Sequence, residues 1–473
     1  MHKHAGRFVI LLLGWAALIP LTAHAADYYV SPTGSDTNPG TLAAPWRHIA
    51  YATCGGSYLC PIATNNPNKL KAGDTLYLRA GVYNESNIRF ANSGAVGAPI
   101  TVASHPGETA EIDGGYTAIS QLTGKGHIFF VDGPTIANGS VNHVVIERLT
   151  MRNARNAMVM VGENYGPANV VIRDNEFIGL VSNDNSGCVF VNGANHVQVT
   201  NNTMHGWSCV AGSSCTSAAG VHIFNGKTLA IRNNHFYGLR AGMYWKSGPD
   251  NNEITIFENN LVHDAHQGAM SNHRGTIIRN NLMYNLTGSG VQVFEESASC
   301  DRLVTPDNRI THNTIVTAPT GIFLTRSQAC AGAVNTVVLD NLIVDFTNGE
   351  HRGLSVWPYY VPQYGGSGVD TSNTTFDHNL IYAAAYPSPI RVLGNYYAAT
   401  AAPLTGTGNI QQAPVFIDAA NGDYTLTAAS PGKNAASDGT DMGALICAVG
   451  PNPTCAGFGD TLAPAAPSNL TVQ

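Results

Sequence analysis

A short pattern of apolar and polar positions recurs along most of the chain from about residue 143. Two or three alternating apolar residues are followed by an asparagine and then by an apolar pair, and the asparagines lie 21 to 38 residues apart. Alternation with a period of two predicts β-strands, and these repeats are too short for separate domains or for propeller blades of about 40–45 residues. The shared asparagines are Asn175, Asn202, Asn234, Asn260, Asn281, Asn313, Asn341 and Asn379.

A second strand is predicted after each asparagine motif, and it begins with a glycine, as in GCVFVNG (187–193) and GMYWKSG (242–248). We expect the first and third residues after the glycine to point inward and the second and fourth to point outward. The predicted inward pairs are Cys188/Phe190, Val221/Ile223, Met243/Trp245, Ala269/Ser271, Val291/Val293 and Ile322/Leu324.

Strands that repeat at this spacing are best accommodated by an all-β solenoid, a single-stranded parallel β-helix over residues 26–450. Its N-terminal part contains a capping element, and its C-terminal part closes the fold, because a solenoid has open ends. The asparagines of successive coils are expected to stack at one bend and to bond to one another along the axis. The glycines are expected to permit tight turns.

Composition narrows the classes of protein that remain. Only 12% of the residues are charged and the formal net charge is −7, whereas 44% are hydrophobic and 50 are glycine. Disordered chains are rich in charge and poor in apolar residues, so disorder is excluded. The acidic balance argues against a nucleic-acid partner. The low charge makes any local group of charged side chains informative.

The first 25 residues read as a signal peptide. Lys3 and Arg7 precede an apolar stretch, and Ala23 and Ala25 flank a cleavage site of the small-x-small type. The mature chain is therefore expected to be secreted, periplasmic or on the cell surface, with no membrane span and as a monomer. Residues 451–473 are rich in proline and alanine and are expected to form a linker.

Eight of the nine cysteines form pairs that are close in sequence, which favours local disulfides in an exported chain. The ninth, Cys188, lies in an apolar strand and is expected to be a buried, inert thiol. The predicted pairs are Cys54–Cys60, Cys209–Cys215, Cys300–Cys330 and Cys447–Cys455.

The outward positions of the glycine strands, and the turns after them, bring many polar side chains to one predicted face. Neighbouring coils lie about 4.8 Å apart, so residues distant in sequence can line one groove. The polar residues assigned to this face are His222, Tyr244, Lys246, Asn272, His273, Arg274, Gln292, Glu295 and Arg326.

Two long segments carry a resemblance that covers nearly the whole mature chain. Residues 28–46, followed by GDTLYLRAGVY (73–83), resemble the opening of bacterial right-handed β-helix proteins of the pectate-lyase-like superfamily, and residues 413–445 resemble the closing segment of the same class. The resemblance implies a right-handed helix and an exported protein that acts on polysaccharides.

The predicted face suits β-elimination on a polysaccharide that contains uronic acid. This reaction needs a cation to neutralise the carboxylate, a base to remove the C5 proton, and an acid for the leaving oxygen. Lys246 is the candidate base, since Arg274 and partial burial would favour its neutral amine, and His273, Tyr244 or His222 could supply the acid. The expected substrate-binding residues are His222, Asn272, Gln292, Glu295 and Arg326.

The segments WKSG (245–248) and NHRG (272–275) are similar to motifs of polysaccharide lyase family six, the alginate lyases and chondroitinase B. The resemblance implies Lys246 as base and Arg274 as its partner, with an alginate-like or glycosaminoglycan-like substrate. It departs from the family in Trp245 before the lysine and in the reversed order of histidine and arginine. No residue clearly matches the family's acidic calcium ligand, so no cofactor is certain. Calcium is possible because the family that these motifs resemble binds it.

Three other functions fit the same residues. A glycoside hydrolase would need two carboxylates about 5–10 Å apart, for which the chain offers Asp184, Asp264, Glu295 and Glu296. A uronate epimerase would share the proton abstraction. A non-catalytic carbohydrate-binding solenoid would use outward aromatic residues such as Phe224, Phe294 and Phe323.

Overall fold

Three long parallel sheets form the body of the protein in a computed structural model. Each coil of the chain passes through sheet 1, sheet 2 and sheet 3 in that order, so each strand pairs with its equivalent in the next coil. The predicted parallel β-helix is therefore confirmed. The structure describes residues 25–54, 70–116, 126–132, 140–163, 166–182, 185–209, 215–247, 254–294, 307–326, 335–349, 352–358, 374–451 and 454.

The strands are short, which is typical of a solenoid in which every coil bends three times. Sheet 1 contains Asp27–Val30, Thr75–Leu78, Ile100–Ser104, Val144–Glu147, Ala168–Arg173, Asn195–Thr200, Lys227–Arg232, Thr255–Glu258, Thr276–Arg279, Arg309–Thr311, Val337–Leu339 and Thr375–Asp377. Sheet 2 contains Gly81–Tyr83, Ala110–Asp113, Thr150–Arg152, Glu176–Ser182, Thr203–Cys209, His235–Tyr237, Leu261–His263, Leu282–Tyr284, Thr314–Val316, Leu342–Val344 and Leu380–Tyr382. Sheet 3 contains Ile88–Arg89, Phe129–Val131, Ala157–Gly162, Ser186–Asn192, Ala218–Phe224, Ala241–Ser247, Gln267–Ser271, Ser289–Val293, Thr320–Arg326, Leu354–Pro358, Ile390–Val392 and the antiparallel strand Asn395–Tyr397.

The bend between sheets 1 and 2 holds the predicted asparagine ladder. All eight asparagines are buried, and each side-chain amide donates to the side-chain oxygen of the next, as from Asn234 to Asn260 at 3.1 Å. The ladder ends on Asn409, which the repeat pattern did not include. The residue before each of the eight asparagines has a positive φ, as Asn259 does at 56°, and this single left-handed residue makes the bend.

The inward positions of sheet 3 form the core as predicted in every glycine strand except the first of them, GCVFVNG (187–193). Val221, Ile223, Met243 and their equivalents are buried in one continuous apolar cluster. In that strand Gly187 pairs with Ala219 rather than with Gly220. Its inward and outward positions are therefore shifted by one residue relative to the next strand. Val189 and Val191 therefore join the core, whereas Phe190, which we expected inside, lies in a separate cluster with Phe130 and Met160.

The glycines that begin the strands of sheet 3 serve close packing rather than turning. Gly220, Gly242 and Gly268 do not have a positive φ. A Cβ on Gly268 would lie 2.4 Å from Met283 Sδ and 2.3 Å from the Gly290 carbonyl oxygen. The core side chains of sheet 2 thus occupy the space that a larger residue would need.

A short helix, Ile49–Cys54, packs near the N-terminal coil, in the region where a capping element is predicted. The Glu85 carboxylate accepts the backbone N–H groups of Ile49 and Ala50, which are among the donors that a helix start leaves unpaired. Burial raises the pKa of Glu85.

The C-terminal segment, residues 413–451, runs back along the outside of the helix. It contains the hairpin Phe416–Asp418 and Asp423–Leu426 and the 3₁₀ turns Ala419–Asn421 and Ile446–Ala448. Leu426 and Met442 pack on the outer face of sheet 2 with Leu342 and Leu380. The segment therefore acts as a strap across several coils rather than as a plug in the open end.

The predicted disulfide between Cys209 and Cys215 is confirmed. Cys54 and Cys447 each belong to a disulfide. Cys188 is fully buried and free, and burial raises the pKa of its thiol to about 12, as expected of an inert side chain. The predicted partners Cys60 and Cys455, and the pair Cys300–Cys330, lie outside the described residues.

Residues 1–24 and almost all of the predicted linker also lie outside the described residues, so the signal peptide and the linker remain predictions. Within the described part of the chain, no helix has both the length and the apolar character needed to cross a membrane.

Candidate functional site

The candidate site lies on the outer face of sheet 3, where equivalent positions of successive strands form a row. The register of the strands aligns these positions directly, and the row is more aromatic than the sequence alternation alone predicted. Its central members are Phe190, His222, Tyr244, Met270, Gln292 and Phe323.

His222 lies at the centre of this row, fully buried between two aromatic rings. Phe190 and Tyr244 contact it edge-on, with ring centroids at 4.6 and 5.3 Å. Its Nδ1 is 2.6 Å from the Ser217 carbonyl oxygen, which can only accept, so Nδ1 carries the proton of the neutral ring. Burial, and then the positive charge of Lys246, lowers the pKa of His222 to about 3.

Lys246 projects from a β-bulge beside His222. Ile223 pairs with Trp245 and Phe224 pairs with Ser247, so Lys246 is the extra residue of its strand. Its Nζ donates to Asn185 Oδ1 at 3.0 Å and to Ser217 Oγ at 3.2 Å. Both acceptors are neutral, and no described carboxylate forms an ion pair with this ammonium group. Bulges often occur next to active sites, where they re-aim a side chain.

Asn272 holds the bulge from the next coil. Its backbone N–H donates to the Trp245 carbonyl oxygen at 2.8 Å, and its side-chain amide donates to the Lys246 carbonyl oxygen at 2.9 Å. Asn272 is buried. It therefore belongs to the predicted site as a support for the lysine backbone.

Tyr244 is buried against its outer neighbours rather than extended into solvent. It packs in a small apolar cluster with Ala219, Ala241 and Met270, and the Phe294 ring lies 5.9 Å away. Tyr244 also contacts His222 directly. The predicted pair of Tyr244 and His222 is thus brought together, although both are more enclosed than an outward alternation implies.

His273 does not join this outer row, which corrects the predicted placement. Its ring stacks on Trp245 at 3.9 Å, and both side chains are fully buried. Its Nδ1 is 2.7 Å from the Arg274 carbonyl oxygen. The turn after Ser271 bends the chain toward sheet 1, so the side chain enters the interior instead of following the outward row.

Arg274 lies in the turn that leads from sheet 3 to sheet 1. Its described ion pair is with Asp307, at 3.6 Å between Nη2 and Oδ2, and both side chains are partly exposed. Glu295 and Glu296 lie outside the described residues, as does the side chain of Arg326.

The carboxylates proposed for a hydrolase are not assembled among the described residues. Asp264 is half-exposed and contacts the His263 Nδ1 of sheet 2 at 2.7 Å. Asp184, the other candidate, lies outside the described residues. Within the described ranges, no cluster of three or more histidine, cysteine or acidic residues could hold a metal ion.

Most described charges on sheets 1 and 2 are neutralised between neighbouring coils. Glu147 bonds to Arg173 at 2.7 Å, and Glu258 contacts both Arg232 and Arg279. Many of the few charged side chains of this protein therefore lie in these ion pairs, which the sequence did not predict. The ammonium group of Lys246 differs from them, because it pairs with no described carboxylate.

Comparison with known proteins agrees with this architecture. Residues 187–381 match the family described as "Right handed beta helix region". A pectate lyase, PEL9, of Emericella nidulans is 40% identical over 101 residues, which are 21% of this chain and 21% of that protein. An uncharacterized protein, YwoF, of Bacillus subtilis is 28% identical over 162 residues, which are 34% of this chain and 31% of that protein.

The matched segments thus span between a fifth and a third of these curated relatives. Among solved structures, pectate lyase Pel9A overlaps with a TM-score of 0.56 at 14% identity, covering 90% of this chain and 96% of that chain. The family match confirms the predicted right-handedness of the coil, and the structural overlap confirms the fold. This chain folds as a right-handed parallel β-helix, the fold that it shares with pectate lyase Pel9A.

Proposed function

We propose that this protein is a polysaccharide lyase that cleaves a uronate polymer by β-elimination, with Lys246 as the base. The observation that carries the proposal is the setting of Lys246. It projects from a bulge on the outer face of sheet 3, its described side-chain bonds are to neutral oxygen atoms, and it has no described acidic partner. An amino group that pairs with no described carboxylate remains accessible to a bound polymer.

In the proposed reaction one proton is removed from the sugar and one is supplied to the leaving oxygen. The neutral amine of Lys246 takes the C5 proton of a uronate, whose carboxylate makes that proton acidic. The electron pair of the C5–H bond becomes the C4–C5 double bond as the bond from C4 to the glycosidic oxygen breaks. The leaving oxygen takes a proton, and no water is consumed.

Tyr244 is the proposed source of the proton for the leaving oxygen. Tyr244 lies in the same strand as Lys246, and its phenol ring contacts His222. The positive charge of Lys246 in turn lowers the pKa of His222. His222 stays neutral at ordinary pH, so in this proposal it shapes the site and does not add charge. The proposal gives no catalytic role to His273, whose ring is stacked on Trp245 in the core.

The polymer is proposed to be a galacturonan or a related uronate chain. The local match to a pectate lyase and the overlap with the Pel9A fold support this class. The resemblance of residues 245–248 and 272–275 to polysaccharide lyase family six stays a prediction, and alginate and chondroitin are therefore included in the test. No step of the proposal depends on calcium.

The test is to incubate the full chain with pectate, alginate and chondroitin and to follow the ultraviolet absorbance of the new C4–C5 double bond. Lys246→Ala should lower the rate by about 10²–10⁴-fold, the usual contribution of a general base. Lys227→Ala, a matched change on sheet 1, should leave the rate unchanged.

Two outcomes would contradict the proposal. New reducing ends without the absorbance would indicate a hydrolase. A Lys246→Ala variant that folds and retains its rate would move the base elsewhere.

A further inference from the structure

Arg240 is a further basic residue beside the candidate site, and the sequence patterns did not single it out. It lies in the turn immediately before the strand Ala241–Ser247, which carries Tyr244 and Lys246. Its side chain is partly buried. Its described side-chain hydrogen bond runs from Nη1 to Gln267 Oε1 at 3.2 Å.

No described carboxylate pairs with Arg240. This contrasts with most described arginines of the other two sheets, where, for example, Arg173 bonds to Glu147 at 2.7 Å and Arg152 bonds to Glu111 at 2.6 Å. Burial lowers the pKa of Arg240, which means that its surroundings disfavour the charge. An anionic ligand would relieve this cost.

The hydrogen bonds around Arg240 leave donors rather than acceptors for a ligand. Gln267 uses its oxygen to accept from Arg240, and its amide nitrogen donates to Gln292 Oε1 at 2.6 Å. Gln292 thus uses its oxygen as an acceptor and retains its NH₂ group as a donor. A carboxylate, which only accepts, matches such a set.

Arg240 and Lys246 flank the same strand at opposite ends, with Tyr244 between them. At about 3.3 Å per residue the two backbones are roughly 20 Å apart. A carboxylate held by Arg240 therefore belongs to a sugar of the bound polymer at some distance from the one that Lys246 attacks.

We propose that Arg240, oriented by Gln267, binds a carboxylate of the polymer and sets the preference for free uronate over esterified or neutral sugars. The inference rests on the proposed function, which it extends to a specificity-determining residue. Because the contact is made before and during the reaction alike, its loss should raise KM and leave kcat nearly unchanged.

The test compares the wild-type chain, Arg240→Gln and Arg240→Lys on pectate and on methyl-esterified pectin. Arg240→Gln should raise KM for pectate about 10- to 100-fold, in the range of hydrogen bonds to charged groups, and should not affect the esterified polymer. Arg240→Lys keeps the positive charge without the planar guanidinium group, so its KM for pectate should lie between those of the wild-type chain and Arg240→Gln. Arg279→Gln, which removes an arginine paired with Glu258 on sheet 1, is the matched control.

Binding of a short galacturonate oligosaccharide to the Lys246→Ala variant, with and without Arg240→Gln, separates the two proposals. If the wild-type chain cleaves pectate but Arg240→Gln changes neither KM nor binding, the role of Arg240 is overturned and the lyase stands. If no uronate polymer is cleaved, the lyase fails, and weaker binding with Arg240→Gln would still support carboxylate recognition. No binding of any oligosaccharide would overturn both.

Discussion

At the scale of single residues, the asparagine ladder shows how a polar side chain can be a core residue. Asn260 donates to Asn281 Oδ1 and to the Ile231 carbonyl oxygen, while its own oxygen accepts from Asn234. Every polar atom of the amide is used, so full burial carries no unsatisfied group. This is why asparagine, with one acceptor and two donors on a short side chain, repeats at the bend.

We expect Asn260→Ala to lower the free energy of unfolding by about 1–3 kcal/mol, because its buried partners lose their bonds. Chemical denaturation followed by circular dichroism measures the change. Asn395→Ala is the control, since Asn395 is exposed at the end of sheet 3. An equal effect of both changes would contradict a special role for the ladder.

At the scale of elements, the outer face of sheet 2 carries a stack of rings from successive coils. His205, Tyr237, His263 and Tyr284 lie nearly parallel, with centroids 4.6 to 5.4 Å apart. His235 joins the stack, and its Nε2 is 2.7 Å from His263 Nε2. One of these two nitrogens donates and the other accepts, because a hydrogen bond needs one N–H group and one lone pair.

Stability should therefore fall on mild acidification through His235. Burial, followed by the charges of His263 and His205, lowers the pKa of His235 to about 4 in the folded chain, against about 6.5 when unfolded. The unfolded chain takes up the proton first, so the free energy of unfolding decreases as the pH falls from about 6.5 toward 4.

Denaturant unfolding at pH 7 and pH 5 measures this loss, which should be smaller in His235→Gln than in the wild-type chain. His196→Gln, outside the stack, should retain the full loss. An unchanged loss in His235→Gln would contradict the assignment.

At the scale of the whole molecule, the C-terminal strap links coils that are otherwise connected only to their neighbours. Ser437 donates to the Asp340 carboxylate, Leu445 donates to Asn280 Oδ1, and Asn233 donates to the Ala448 carbonyl oxygen. A solenoid opens easily at its ends because each coil contacts only the adjacent ones. The contacts of the strap are expected to hinder this opening, because they join coils that are not adjacent.

We expect Leu426→Ala to loosen the strap at a cost of about 2–5 kcal/mol, the usual range for removing a buried leucine side chain. Hydrogen exchange should then rise in residues 413–451 and in the last strands of sheet 2, while the strand Ala241–Ser247 stays protected. Uniform exchange over all coils would indicate that the strap does not act locally.

The sequence by itself determined the coil, most of its inward residues and the asparagine bend. Each depends on a pattern that repeats from coil to coil, and a period of two together with a regularly placed asparagine has one structural solution. The disulfide Cys209–Cys215 follows for a similar reason, since its partners are close along the chain.

Only the tertiary structure decided how the candidate site is arranged. The bulge at Lys246 depends on the register with the preceding strand, and the inward turn of His273 depends on the Trp245 ring that receives it. The pairing of Arg240 with Gln267, and with no described carboxylate, depends on which side chains the neighbouring coils bring near it. These features arise between coils, where residues distant in sequence meet, and no pattern along one strand records them.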